Sequence, residues 1–284
     1  MTQITPSAAE RVQGALDAEK LDRAKRALEQ DGYVILNDVV ARDHINLLRD
    51  RMLEDIEAVL ARADVPTQFS RGNIQQDPPP FPPYLFRDVL VNDFIIQVTK
   101  SILGPGLHNS FYSGNTNIPG SQPQPVHADY GQLWPNLRVA HPAFSLVINL
   151  PLVDMDEHNG STEVWPGTHA DTTVYWQSGD IKVPFDALER RRAQIPPIQP
   201  TVRAGSAIIR DMRLWHRGVT NHSSQPRPMI AMIHNVAWFP GAVLEFAAGS
   251  EALLKHPDLI TRARFIDGEI AYLRRHEAYD LQPQ

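Results

Sequence analysis

His127 and Asp129 stand one residue apart in the run Gln124-Pro-Val-His127-Ala-Asp129. On an extended backbone alternate side chains share a face, so at a strand end this pair can meet a single ion. The same spacing recurs at His169-Ala170-Asp171, and spacing alone does not choose between the copies. The second copy follows Trp165-Pro-Gly-Thr, which reads as a turn leading into a solvent-facing loop. The chain has no cysteine, so any metal must sit on imidazole and carboxylate groups. Two histidines and one carboxylate on one face leave coordination positions open, an arrangement suited to iron(II) and oxygen chemistry, and it requires a third ligand from elsewhere in the chain.

If the open positions take a dicarboxylate cosubstrate, a fixed cation must hold its far end, and the planar fork of arginine suits that task. The segment Asp211-Met-Arg-Leu-Trp-His216-Arg-Gly-Val-Thr-Asn-His222-Ser-Ser-Gln-Pro-Arg227 offers both parts, with Arg227 eleven residues beyond His216. His222 is a rival ligand. Arg213 and Arg217 are nearer cations, but flanking the histidine they suit surface positions or ion pairs.

The elements that must position these groups read as helices at both ends of a β-rich centre. Apolar spacing predicts helices over 7–31, ending at Asp31-Gly32, over 43–63 with Asp43 as cap, and over 87–103, stopped by Gly104. Tyr33–Leu36 reads as a strand, and short apolar strands follow at 108–113, 144–150, 206–210 and 229–238. Residues 66–83 form a proline-dense loop that suits either a cover over a site or a rigid connection. The tail over about 249–278 reads as helical. Helices that flank strands rather than alternating with them argue against a parallel α/β sheet. The expected layout is one domain over 1–284: a helical part about 7–103, a β core about 108–240 and the helical tail.

Composition narrows the function classes. The net charge of −6 with 21% charged residues offers no basic field for nucleic acid. No apolar run suits a membrane span or a signal peptide, so the expectation is a cytoplasmic protein, monomer or homodimer, acting on a small molecule.

Several longer stretches carry a specific resemblance: Gln75-Gln-Asp-Pro-Pro79, Tyr112–Ser121, Gln124–Asp129, Leu133-Trp-Pro135, Asn159–His169 and Ile209–Val219. With them the chain resembles the phytanoyl-CoA dioxygenase family, and within it the antibiotic-tailoring members. The resemblance implies a double-stranded β-helix (a jelly-roll, cupin-like core), Fe(II), 2-oxoglutarate and O2 as cofactors, His127, Asp129 and His216 as iron ligands, and Arg227 on the far carboxylate of 2-oxoglutarate. It makes His169 a supporting rather than a ligating residue, and adds Gln124 and Thr162 as cosubstrate contacts. Relatives that halogenate lack the carboxylate; with Asp129 present, hydroxylation or a related oxidation of a natural product in secondary metabolism is implied.

Gln76, Tyr112, Tyr130, Trp134 and Trp238 are the candidate substrate contacts. Asp77, Asp154, Asp156 and Glu157 would be needed at the mouth to match a polycationic substrate. The competing readings are a zinc-type hydrolase on the same three ligands, which Arg227 argues against, and a catalytically silent ligand-binding barrel.

Overall fold

The buried, β-branched run Ser145–Pro151 has no exposed residue along its length, which marks a strand covered on both faces. The computed structural model, which describes residues 1–175 and 181–279, places it near the middle of the main sheet. In chain order the strands are Gln3–Ile4 (β1), Tyr33–Leu36 (β2), Asn73–Gln75 (β3), His108–Asn117 (β4), Ser145–Pro151 (β5), Glu163–Val164 (β6), Ala207–Asp211 (β7), His216–Arg217 (β8), Arg227–Asn235 (β9), Leu244–Ala247 (β10), Ile260–Thr261 (β11) and Ala263–Ile266 (β12). The helices are Ala8–Gln13 (α1), Ala18–Gln30 (α2), Arg42–Leu60 (α3), Arg87–Leu90 (α4), Asp93–Leu103 (α5) and Phe185–Gln194 (α6).

The main sheet runs β1-β2-β7-β5-β9-β4-β11, with β3 on β4, so its strands come from residues 3 to 261 of the chain. Its central pairs are antiparallel, with Val147 of β5 opposite Arg210 of β7 and Ile233 of β9. A second, narrower ladder faces it. There β6 pairs with β8, His127 bridges His216 and Lys182, and Val164 bridges Ile198. The cavity between the layers takes side chains from both.

On the outer face of the main sheet, α2 packs on α5 and β2, and Leu28, Leu48, Met52 and Ile95 join the largest apolar cluster. Each fully buried Leu or Met of this kind stabilises the fold by roughly 1.5–3 kcal/mol. The inner face carries a smaller cluster, in which Ile35, Ile208 and Met229 close one end of the space between the layers.

Helix boundaries depart from the expected ones where backbone groups find local partners. Residues 7–31 form two helices, because Gly14 ends the first in the left-handed conformation (φ 69°) and Asp17 caps the second through Lys20 N. The cap of α3 is Ala41 rather than Asp43, which lies in the first turn. The 87–103 helix divides at Asn92, whose side chain accepts from Phe94 N and Ile95 N. The tail is not helical: β10 and β12 pair in parallel, β11 joins β4, and only two short 3-10 turns, Glu251–Leu254 and Tyr272–Arg274, interrupt extended chain.

His234 on β9 is buried, with Nδ1 2.9 Å from Thr99 Oγ1. Burial, with His108 and His256 adding to it, pushes its pKa down to about 3. The unfolded chain binds this proton near the ordinary histidine value of about 6.5, so stability falls as pH drops from there toward the folded value. We expect the urea midpoint to fall between pH 7.5 and pH 5, and to fall less steeply in His234→Gln. Equal slopes in the two proteins would exclude His234 as the cause.

Candidate metal centre and carboxylate cavity

His127 lies on the inner ladder and exchanges both backbone hydrogen bonds with His216 (N to O, 3.0 and 2.9 Å). This pairing brings two histidines 89 positions apart in sequence to ring centroids 4.5 Å from each other. His127 Nδ1 is 2.9 Å from Pro125 O and His216 Nδ1 is 3.0 Å from Leu214 O. A carbonyl oxygen can only accept, so both rings carry hydrogen on Nδ1 and present the Nε2 lone pair. Those Nε2 atoms stand 3.9 Å and 3.5 Å from Asp129 Oδ1. The three ligating atoms all lie within 4.8 Å of one another, the one such group of three among the described residues.

The other carboxylate oxygen is occupied: Arg210 Nη2 donates to Asp129 Oδ2 at 2.6 Å, and Arg210 Nε donates to Asn149 Oδ1 at 3.2 Å. Asp129 therefore offers one oxygen to an ion. Burial would raise its pKa, but Arg210 and His216 outweigh burial and hold the carboxyl well below its usual range. For His127, burial and the neighbouring His216 push the pKa down to about 3, which keeps the ring neutral and able to ligate. This donor set of two neutral imidazoles and one ionised carboxylate oxygen fits a divalent transition metal with open positions.

The triad opens into a cavity of about 240 Å³. Arg227 lines it and is 3% exposed. No carboxylate contacts it among the described residues: Nη1 reaches only Met155 Sδ at 3.5 Å, and Nε has no partner. Burial pulls its pKa down to about 10, so it is still a cation at pH 7. A buried, unpaired guanidinium is costly to maintain, and a carboxylate entering the cavity would compensate it.

Thr162 and Gln124 also line the cavity. The Gln124 amide spans two backbone groups, accepting from Gly218 N at 2.7 Å and donating to Gln68 O at 3.1 Å. It thereby ties the 66–83 loop to the strand that carries His216. That loop does form cavity wall, through Gln68, Phe69, Asn73 and Gln75, with the Phe69 ring 4.4 Å from that of His127.

The five expected substrate contacts are not on this wall. Gln76 is buried beside it, donating to Met52 O and accepting from Thr116 Oγ1, and its neighbour Gln75 faces the cavity instead. Tyr112 points into the outer apolar cluster, its ring tilted on Phe246, while Phe111 lines the cavity. In both places the lining residue is the immediate neighbour, and neighbouring residues of an extended chain face opposite ways. Tyr130 packs edge-on against Phe144 and Phe239. Trp134 and Trp238 are exposed, against His141 and Phe239 respectively. Asp77, Asp154, Asp156 and Glu157 are likewise absent from the wall, on which Asp129 is the only carboxylate among the described residues.

His169 is not on a solvent-facing loop. It is 7% exposed, behind β7, with Nε2 3.2 Å from Glu29 O, and a side chain at Gly32 would collide with its ring. His222 stands outside the group of three. Arg213 is in a buried ion pair with Asp211, and Arg217 pairs with Glu163. Arg210 and Asn149 were not among the expected residues. A lone cation inside the apolar strand Ala207-Ile-Ile-Arg210 was the available signal for the first.

Comparison with known proteins agrees with this geometry. The family model described as Phytanoyl-CoA dioxygenase (PhyH) matches residues 28–229. Dioxygenase af480 of Aspergillus fumigatus is 26% identical over 210 residues, covering 71% of this chain and 62% of its own length. The match thus spans less than two thirds of that relative. Among solved structures, AviO1 from Streptomyces viridochromogenes Tue57 superposes with a TM-score of 0.58 at 21% identity, covering 80% of this chain and 100% of that one. The 2-oxoglutarate-dependent epimerase SnoN from nogalamycin biosynthesis gives 0.56 at 16% identity, covering 78% and 85%. EctD from S. alaskensis, solved with 2-oxoglutarate and 5-hydroxyectoine, gives 0.55 at 17%, covering 78% and 76%.

Proposed function

Because this chain belongs to the phytanoyl-CoA dioxygenase family, we propose that it is an Fe(II)- and 2-oxoglutarate-dependent oxygenase that oxidises a C–H bond of a small natural product, with release of succinate and CO2. The two facing layers are read as a double-stranded β-helix, working as one unit because the main sheet draws strands from both ends of the chain. The observation that carries the activity is the pairing of a convergent His127/Asp129/His216 face with a buried guanidinium, Arg227, that has no counter-ion among the described residues. A hydrolase using the same three ligands has no need of that cation.

The Nε2 atoms of His127 and His216 and Oδ1 of Asp129 would hold the iron, which with 2-oxoglutarate and O2 supplies the oxidising power. The chain's own work is orientation. Pro125 O and Leu214 O fix the two imidazoles, Arg210 turns Asp129 so that a single oxygen faces the ion, and Arg227 takes the far carboxylate of the cosubstrate. Apolar side chains such as Val147, Ile233 and Phe111 exclude water from the rest of the cavity. A wall that carries two arginines and one carboxylate among the described residues does not suit a polycation, so an aminoglycoside is disfavoured as substrate.

The test is anaerobic addition of iron(II) and 2-oxoglutarate to the apoprotein, following the visible charge-transfer band of the chelate. Wild type should form the band at stoichiometric iron. Arg227→Ala should need at least tenfold more 2-oxoglutarate, the scale of one lost charge-assisted contact of about 1.5–3 kcal/mol. No band in wild type would refute the oxygenase reading; an unchanged titration in Arg227→Ala would refute the clamp alone.

A further inference from the structure

The cavity has a second cation at its other end. Arg227, Met229, Ala231 and Ile233 alternate onto the cavity face of β9, and Ile233 lies in one row of the sheet with Val147 and Arg210. Arg210 therefore enters the cavity six residues along the strand direction from Arg227, roughly 20 Å between backbone rows at ~3.3 Å per residue. Its guanidinium is only partly used. Nη2 holds Asp129 and Nε holds Asn149, whereas Nη1 is buried with no partner among the described residues. The Arg210 side chain itself is 7% exposed.

We infer that this end of the cavity binds the primary substrate through a single carboxylate on Arg210 Nη1, with an otherwise apolar body against Val147, Ile233 and Phe111. The inference rests on the oxygenase reading above and names the substrate class of the same site. Charge balance supports it. Among the described lining residues, Arg210 and Arg227 with a divalent ion bring four positive charges to the cavity; Asp129 and the two carboxylates of 2-oxoglutarate offset three. One positive charge is left, and it lies where Arg210 has an unused donor. In a partly enclosed site an unmatched positive charge favours a monoanion over a neutral analogue and disfavours a cation. A planar N–H group adjacent to one already engaged with a carboxylate is also the geometry that accepts a second carboxylate.

The other carboxylate that could reach Nη1 is the one of 2-oxoglutarate next to its keto group, and the experiment separates the two sources. Protein loaded anaerobically with iron(II) and 2-oxoglutarate is titrated calorimetrically with phenylacetate and with phenylacetamide, for wild type, Arg210→Gln and Arg210→Lys. Iron retention and the chelate band are recorded in each. Wild type should bind phenylacetate at least tenfold more tightly than the amide. In preparations that retain stoichiometric iron, the preference should shrink below twofold in Arg210→Gln and be partly kept in Arg210→Lys. Absence of a preference in wild type, or its survival in Arg210→Gln, overturns the inference. So does a tenfold loss of 2-oxoglutarate affinity in Arg210→Gln at iron retention equal to wild type, which would assign Nη1 to the cosubstrate. If wild type forms no chelate band, it is the oxygenase reading that has failed.

Discussion

His127→Ala and His216→Ala are each expected to abolish stoichiometric iron(II) retention, while His169→Ala and His222→Ala keep it. Each of the first two removes one of three protein donors, and the remaining pair lacks the face that a divalent ion needs. In His169→Ala the Nε2 contact to Glu29 O is lost and a space opens behind β7, so the cost falls on stability. Deleting a buried ring of this size predicts roughly 2–4 kcal/mol of destabilisation with iron binding intact below the melting transition. Metal analysis after anaerobic loading and desalting, with thermal unfolding alongside, checks both statements. Retention of iron by His127→Ala together with its loss from His169→Ala would move the metal to the duplicated motif.

The duplicated motif shows what sequence reasoning resolves. His127-x-Asp129 and His169-x-Asp171 are indistinguishable as spacing, and their difference is topological. Val126–Ala128 hydrogen-bonds to the strand of His216 on one side and to Ile181 and Val183 on the other, whereas His169 is in a 3-10 turn directed at α2. The partner segments are distant in sequence, so nothing local records the pairing. The central strands were legible because burial on both faces writes continuous apolar runs, as in β5 and β9.

The cavity wall was legible only to within a residue. Phe111, Asn115 and Asn117 alternate onto the cavity face of β4, so Phe111 and not Tyr112 faces the cavity. The helical reading of the tail failed for another reason. Leu254, in a 3-10 turn, and Leu259, just before β11, are apolar because both pack into the outer cluster, and the apolar spacing of the tail matches a helical period by accident. Arg210 escaped notice because its importance lies in Asp129, 81 positions away, which its own neighbours do not reveal.

The residue after Arg210 gives the largest expected effect on stability. Successive strand residues face opposite ways, so Arg210 enters the cavity and Asp211 points out, where it meets Arg213. Asp211 accepts from Arg213 Nε at 2.9 Å and Nη2 at 2.7 Å, and both side chains are no more than 4% exposed. Arg213 Nη1 continues to Gln132 Oε1 and His141 O, and Gln132 Nε2 donates to His169 O and Asp171 O. This network fastens the chain that follows Asp129 to the end of β7. Removing one partner leaves the other charge buried and unpaired, a loss of about 3–5 kcal/mol. Arg213→Met and Asp211→Leu should each lower the urea-derived stability by that amount. The double variant should lose clearly less than the sum of the two, because a buried ion pair replaced as a unit leaves no isolated charge. Strict additivity, or single losses below about 1 kcal/mol, would show the pair to be solvated like an ordinary surface bridge. Because Tyr130 N bonds Met212 O within the same span, the single variants should also bind iron more weakly than wild type at temperatures where they remain folded.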